Sequence, residues 1–259
     1  MLCAALFCVC CLSLSAQTYS HEDTDLRANL SAGIDWKATK KLHLSLVEEA
    51  TFDDNLSSLH RLNTTASLSF KACKHFKLGA GYSLLNIKGD ESDAYDWRVR
   101  HRVYAQASAG FAIGDFRISL RERVQATCKP YDLNTFQQPR VACALRSRIK
   151  VSYHLPHFAW RPYASFEIRN TLNAVDCNSL GTSKGTAGTV SYSDVYVNKF
   201  RTEIGTEWRL DKNNYLDFSL RWNHLYDKNI DASKKGVYKS MDIVDGNNIS
   251  LGVAYRFAL

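Results

Sequence analysis

Arg98, Arg100 and Arg102 alternate with Trp97, Val99 and Val103, and Arg117, Arg121 and Arg123 alternate with Phe116, Ile118 and Val124. Guanidinium groups two residues apart on an extended chain share one face, where paired N–H donors recognise carboxylate, phosphate or another anion. The same parity carried along the chain collects Arg61, Arg146, Arg148, Lys150, Arg169, Lys199, Arg201, Arg209 and Arg221. Fewer acids share that face: Glu49, Glu167, Glu203, Glu207 and Asp217.

Two uses of such a face stand side by side. The cations fork onto the acids and, with Tyr104 and Tyr163, lock a packed interior; or the surplus cations attract an anionic small molecule or lipid headgroup, as rings of Arg and Lys do in anion-selective pores. The residues expected to form this ionic network or anion site are Arg98, Arg100, Arg102, Arg117, Arg121, Arg123, Arg146, Arg148, Glu167, Arg169, Arg201, Glu203, Glu207 and Arg221.

Other chemistry is thin. His101, Glu122 and Ser147 interrupt the apolar face and would suit an acyl-transfer triad if they converged. His101 and Ser147 lie two strands apart, however, roughly 10 Å at ordinary strand spacing, with Glu122 between them. The expectation is therefore no catalytic residue, with a lipid hydrolase or acyltransferase as the minor alternative. No HExxH motif occurs, and GTSKGTAG at 181–188 lacks the strand-then-helix context of a phosphate cradle, so it reads as an external linker. His154 and His157 flank Pro156 in a solvated turn, and neither metal nor cofactor is expected.

The elements that must carry these residues are strands. Period-two runs are expected at about 27–36, 42–52, 61–70, 76–86, 97–111, 116–127, 140–153, 161–172, 196–210, 215–226 and 248–259. Many exceed the roughly 5 to 6 residues of soluble strands and reach the roughly 9 to 11 that cross a bilayer at a tilt. Short connections (37–41, 71–75, 112–115, 154–160, 211–214) alternate with longer polar ones (53–60, 87–96, 128–139, 173–195, 227–247), as in outer-membrane barrels with short periplasmic turns and long external loops. The expected fold is all-β, an antiparallel transmembrane up-and-down barrel. Eleven runs is an odd number, so ten or twelve strands are expected, twelve preferred.

Residues 1–16, MLCAALFCVCCLSLSA, read as a secretory signal peptide cut near Ala16; 17–26 read as a short polar segment and 27–259 as the barrel. Beyond the signal remain Cys73, Cys128, Cys143 and Cys177, with no zinc or redox spacing and a Cys128–Cys143 rim disulfide left open. The net charge of +7 would ordinarily suggest nucleic acid, but export and enclosure of the charge argue against it. Outer-membrane lipid is the expected environment, and a monomer the favoured state.

The runs DWRVRHRV, FRISLRERV, ALRSRIKVSY, RPYASFEIRN with Glu167, and KFRTEIGTEWRL with Arg201 and Gly205, together with the Ala16–Gln17 junction, are those through which the chain resembles a family of outer-membrane β-barrels of the Bacteroidota catalogued as a domain of unknown function. The likeness covers about residues 27–259. It implies the barrel and its location in the outer membrane, and brings no established activity or catalytic residue.

Overall fold

A computed structural model describes residues 17–89, 97–181 and 189–259. The expected signal peptide and most of the 181–188 segment lie outside the described residues. Eleven strands follow in order: β1 (Gln17–Trp36), β2 (Leu42–Asp53), β3 (Ser58–Lys71), β4 (Phe76–Lys88), β5 (Trp97–Ile113), β6 (Phe116–Cys128), β7 (Val141–Tyr153), β8 (Trp160–Ala174), β9 (Asp194–Arg209), β10 (Asn214–Ala232) and β11 (Tyr238–Ala258). They close into one barrel in which each strand neighbours its successor and β1 meets β11.

Each consecutive pair is antiparallel, but β1 and β11 run parallel, Gln17 opposite Met241 and Asp35 opposite Ala258. An up-and-down wall with an odd number of strands can close in no other way. The even wall of ten or twelve antiparallel strands is thus corrected to a mixed wall of eleven. With the single β-bridge of Gly181 to Val237, twelve β segments occur among the described residues, one of them outside the wall. The expectation of an even number assumes an antiparallel closing pair, and no local pattern reveals which way the first and last strands meet.

Two other boundaries move. Residues 17–26 are the first half of β1, not a separate segment, and they run beside the start of β11. The expected long loop 227–247 is mostly a continuation of the β10–β11 hairpin, which keeps its pairing up to Ala232 and Tyr238. Both stretches are polar, so the continuous apolar face that marks the rest of the wall fades there although the ladder persists.

The side chains sort by face. Leu30, Leu46, Leu78, Val103, Leu120, Val124, Ile204, Leu220 and Leu251 are exposed on the outside, where no second sheet or helix layer covers them among the described residues. The inside is polar: Thr51, Ser83, Gln125, Ser165, Glu167, Glu203, Ser219, Asn223 and Asn248 are buried. A globular protein in water has the reverse arrangement.

A small apolar cluster sits apart from the bore. Val175, Leu180, Ile230, Ala232 and Met241 are buried together, with Phe136, Cys177, Val190 and Tyr238 against them. The β8–β9 connection, with a 3-10 turn at Cys177–Ser179, packs here on the β10–β11 ribbon. The β6–β7 connection is tied to the same ribbon by Asn134 Nδ2 donating to Ala232 O at 2.7 Å and Gln137 Nε2 to Asp231 at 3.0 Å. These long connections form a packed cap over one rim.

Candidate functional site

The inward parity of β2–β11 delivers the expected cations to the bore, and register decides which of them meet an acid. Glu167 on β8 is 4% exposed and accepts from two neighbours: Arg146 of β7 gives Nη2 to Oε1 at 2.6 Å, and Arg121 of β6, two strands away, gives Nη2 to Oε2 at 2.7 Å. Charged hydrogen bonds of this length are among the strong ones. Arg148, directly opposite Glu167 in the β7–β8 register, adds its charge beside the fork.

Below this fork lies a second group. Glu203 accepts from Arg221 Nε at 3.1 Å and from the Tyr163 hydroxyl at 2.9 Å, and the same hydroxyl lies 2.8 Å from Asp217. Lys150 Nζ stands 3.5 Å from the Tyr163 ring centre and 3.1 Å from Glu207, which Arg161 also approaches at 3.4 Å. On β5 and β6 the Arg123 guanidinium covers the Tyr104 ring at 3.9 Å and donates to Gln106 at 2.6 Å. Arg117 belongs to the end of the wall near the β5–β6 turn, opposite Ala112 and Ser152, remote from the fork.

Above the fork the balance tips toward positive charge. A cavity of about 250 Å³ is lined by Arg61, Arg102, Arg123, Arg146, Arg169, Lys199, Arg201 and Arg221, against Glu49 and Glu167 alone among the described acids. Both acids are already engaged, Glu49 by Arg61 at 3.1 Å. Among the described residues, Arg102 finds only the Thr127 hydroxyl and Arg201 only Asn223 as hydrogen-bond partners. The Nε atoms of Arg61 and Arg169 are buried without a hydrogen-bond partner among the described residues.

Arg98 and Arg100 stand at the capped rim, their guanidinium groups 4.8 and 5.7 Å from the centre of the Tyr131 ring, which the β6–β7 connection folds inward. Lys129 of that connection is partly buried beside them and bonds Gln138. Burial, with Arg100 and Arg169 nearby, pushes its ammonium down to about 8, and Asp227 opposes the shift. Lys129, Tyr131 and Gln138 escape sequence reading because TCKPYDLNTFQQ has no period from which a facing direction follows.

The candidate triad does not assemble. Ser147 Oγ donates to Glu122 at 2.6 Å directly across β6–β7, but His101 faces Cys128 while Glu122 faces Ala107. Positions 101 and 107 on one strand are roughly 20 Å apart. His101 instead shares a 2.7 Å hydrogen bond with Tyr82. Cys128 and Cys143 are free thiols opposite Val141 and Ala126, so the rim disulfide left open is not formed.

A family model described as "Protein of unknown function (DUF2490)" matches residues 27–234, and the chain belongs to that family. No curated protein matches it.

Proposed function

We propose that this DUF2490 member is an outer-membrane barrel whose lumen binds an anionic ligand. The observation that carries the reading is the cavity above Glu167, where eight cationic side chains face two carboxylates that are both already paired. Burying so much like charge is costly unless a counter-charge joins it. A bound dianion would supply that charge and find buried N–H donors waiting on Arg61 and Arg169.

The membrane part of the reading rests on the outer face. Exposed Leu, Val, Ile, Phe and Trp side chains around a closed wall leave an apolar surface that lipid, but not water, solvates well. Closure also satisfies the backbone without edges, as a spanning sheet requires. The chain is taken to reach that membrane through the signal segment at 1–16, and it acts there without catalysis.

The test has two arms. The protein refolded in detergent is expected to migrate differently on gels before and after boiling and to insert into lipid vesicles; a water-soluble monomer that ignores vesicles overturns the membrane assignment. Calorimetric titration with inorganic phosphate or pyrophosphate should show saturable binding, weakened by Arg169→Met with Lys199→Met; no heat with either anion overturns the ligand assignment. The Glu167 fork and the two tyrosines crowd the bore, so planar-bilayer recordings are expected to show no steady current.

A further inference from the structure

The rim opposite the cap carries a recess of its own. A hollow of about 180 Å³ between the β7–β8 and β9–β10 turns is lined by His154, Phe158, Trp160, Arg161, Glu207 and Arg209, with Tyr215 beside them. It opens at strand ends, where the two faces of the wall meet. Arg161, Glu207 and Arg209 belong to the inward set, whereas Trp160 stacks on Trp208 outside, ring centres 5.0 Å apart. Phe158 is 66% exposed and Trp160 38%, so both keep apolar surface that no described residue covers. The cations are only partly paired. Lys150 and Arg161 already share Glu207, at 3.1 and 3.4 Å. Arg209 gives Nε to the backbone oxygen of Asp211 at 3.0 Å and sets its guanidinium 5.8 Å from the Tyr215 ring centre, leaving both Nη groups without an acceptor among the described residues. The Asp211 carboxylate accepts instead from Asn213 and Asn214.

We infer that this recess holds the headgroup of an anionic glycerophospholipid from the leaflet on the short-turn side, its phosphodiester on Arg161 and Arg209 and its acyl chains running past Phe158 and Trp160 onto the outer wall. The inference rests on the membrane part of the reading above and is independent of the lumen ligand. Guanidinium forks match phosphate oxygens, and indole rings settle at the headgroup level of a bilayer, so the two sides of the recess suit the two parts of a lipid. Its volume, below the roughly 300–1,000 Å³ of drug-sized sites, fits a headgroup whose tails lie elsewhere. A zwitterionic lipid fits less well, because its ammonium would need a carboxylate and Glu207 is already shared. Elsewhere on the same rim Lys37, Lys40, Lys41, Lys71 and Lys74 are all exposed, and their field gathers anionic lipid.

The experiment refolds the barrel into vesicles of equal parts dioleoylphosphatidylglycerol and dioleoylphosphatidylcholine, extracts it in mild detergent and counts retained lipid by native mass spectrometry. The wild type is expected to keep phosphatidylglycerol in at least about fivefold excess, the weight of roughly one basic residue at a charged bilayer, and to hold it against excess glycerol 3-phosphate. Arg161→Gln with Arg209→Gln should bring the two lipids to parity, whereas Lys71→Gln with Lys74→Gln, on the same rim but outside the recess, should leave the excess in place. If the arginine pair fails to give the heat-modifiable folded band, Arg209→Gln alone, which keeps the Arg161–Glu207 contact, replaces it. Equal retention by the wild type, an excess that survives the arginine changes, or one that falls as far with the lysine pair overturns the inference. Displacement by glycerol 3-phosphate overturns the lipid source and assigns the recess to a soluble phosphate ester. A barrel that never enters vesicles removes the membrane reading itself, and this site with it.

Discussion

Tyr163 lies across Gly205, its direct neighbour on the next strand, so closely that a methyl group on the glycine would stand 2.7 Å from the phenol and 2.5 Å from the carbonyl oxygen of Phe218. The glycine is required here by close approach. Without a side chain at 205 the ring lies flat on the wall and brings its hydroxyl to Glu203 and Asp217. Tyr104 and Gly81 repeat the arrangement on the β4–β5 pair, with an added methyl only 2.4 Å from the phenol. Gly205→Ala is expected to cost about 1–3 kcal/mol, the usual range for overpacking. Urea unfolding of the refolded protein measures it, and an unchanged midpoint would show that the tyrosine does not need the wall.

Glu167→Gln should have opposite effects on folding and on binding. The change leaves Arg121 and Arg146 without their shared carboxylate in a buried setting, a loss of about 3–5 kcal/mol by analogy with other broken buried pairs. The same change makes the cavity above more positive, so phosphate should bind more tightly in whatever fraction folds. Weaker binding by a folded variant would contradict this account of the cavity.

Lys129 makes a prediction about pH. Its folded-state value of about 8 lies below that of an unfolded lysine, so between pH 8 and roughly 10.4 the unfolded chain holds a proton that the folded one has released. The ligand-free fold is accordingly less favoured by this residue below pH 8 and gains stability as pH rises through that window. Anion affinity moves the other way, falling as the ammonium is lost. Lys129→Met should flatten both trends, which urea midpoints and phosphate titrations between pH 7 and 9 would show.

Two carboxylates on the outer wall distinguish lipid from water. Glu48 and Glu122 are exposed, each hydrogen-bonded at 2.6 Å to a hydroxyl of the next strand, Thr64 and Ser147. If acyl chains surround them, Glu122→Leu and Glu48→Leu should each raise stability in vesicles by about 1–2 kcal/mol, less than the cost known for basic residues at mid-wall. Loss of stability or new aggregation in vesicles would instead place this face against water or a protein partner.

Much of the wall was legible because its outer face must be apolar at every second residue. From Leu42 to Arg209 the expected runs match the strands to within a few residues, since a slip of one position would turn Leu46, Val103 or Leu120 inward. The rule weakens where β1 and the β10–β11 ribbon become polar, and in sequence those stretches look like a segment and a loop. In the lumen, parity alone identified Arg121, Arg146 and Glu167 as inward. That Arg121 reaches Glu167 across an intervening strand depends on register and barrel curvature, which no single run encodes. The cap was illegible for a third reason: Val175, Leu180, Ile230 and Met241 come from segments distant in sequence that meet only after the wall has closed.

Because β1 and β11 run side by side in the same direction, Gln17 and Leu259 belong to opposite rims. Seated in a bilayer with its short turns toward the periplasm, such a wall would display its amino end to the exterior beside the cap, so that end must be carried through the membrane during assembly. An epitope ahead of Gln17 would then be open to antibodies on intact cells, whereas one following Leu259 would be shielded until the envelope is breached.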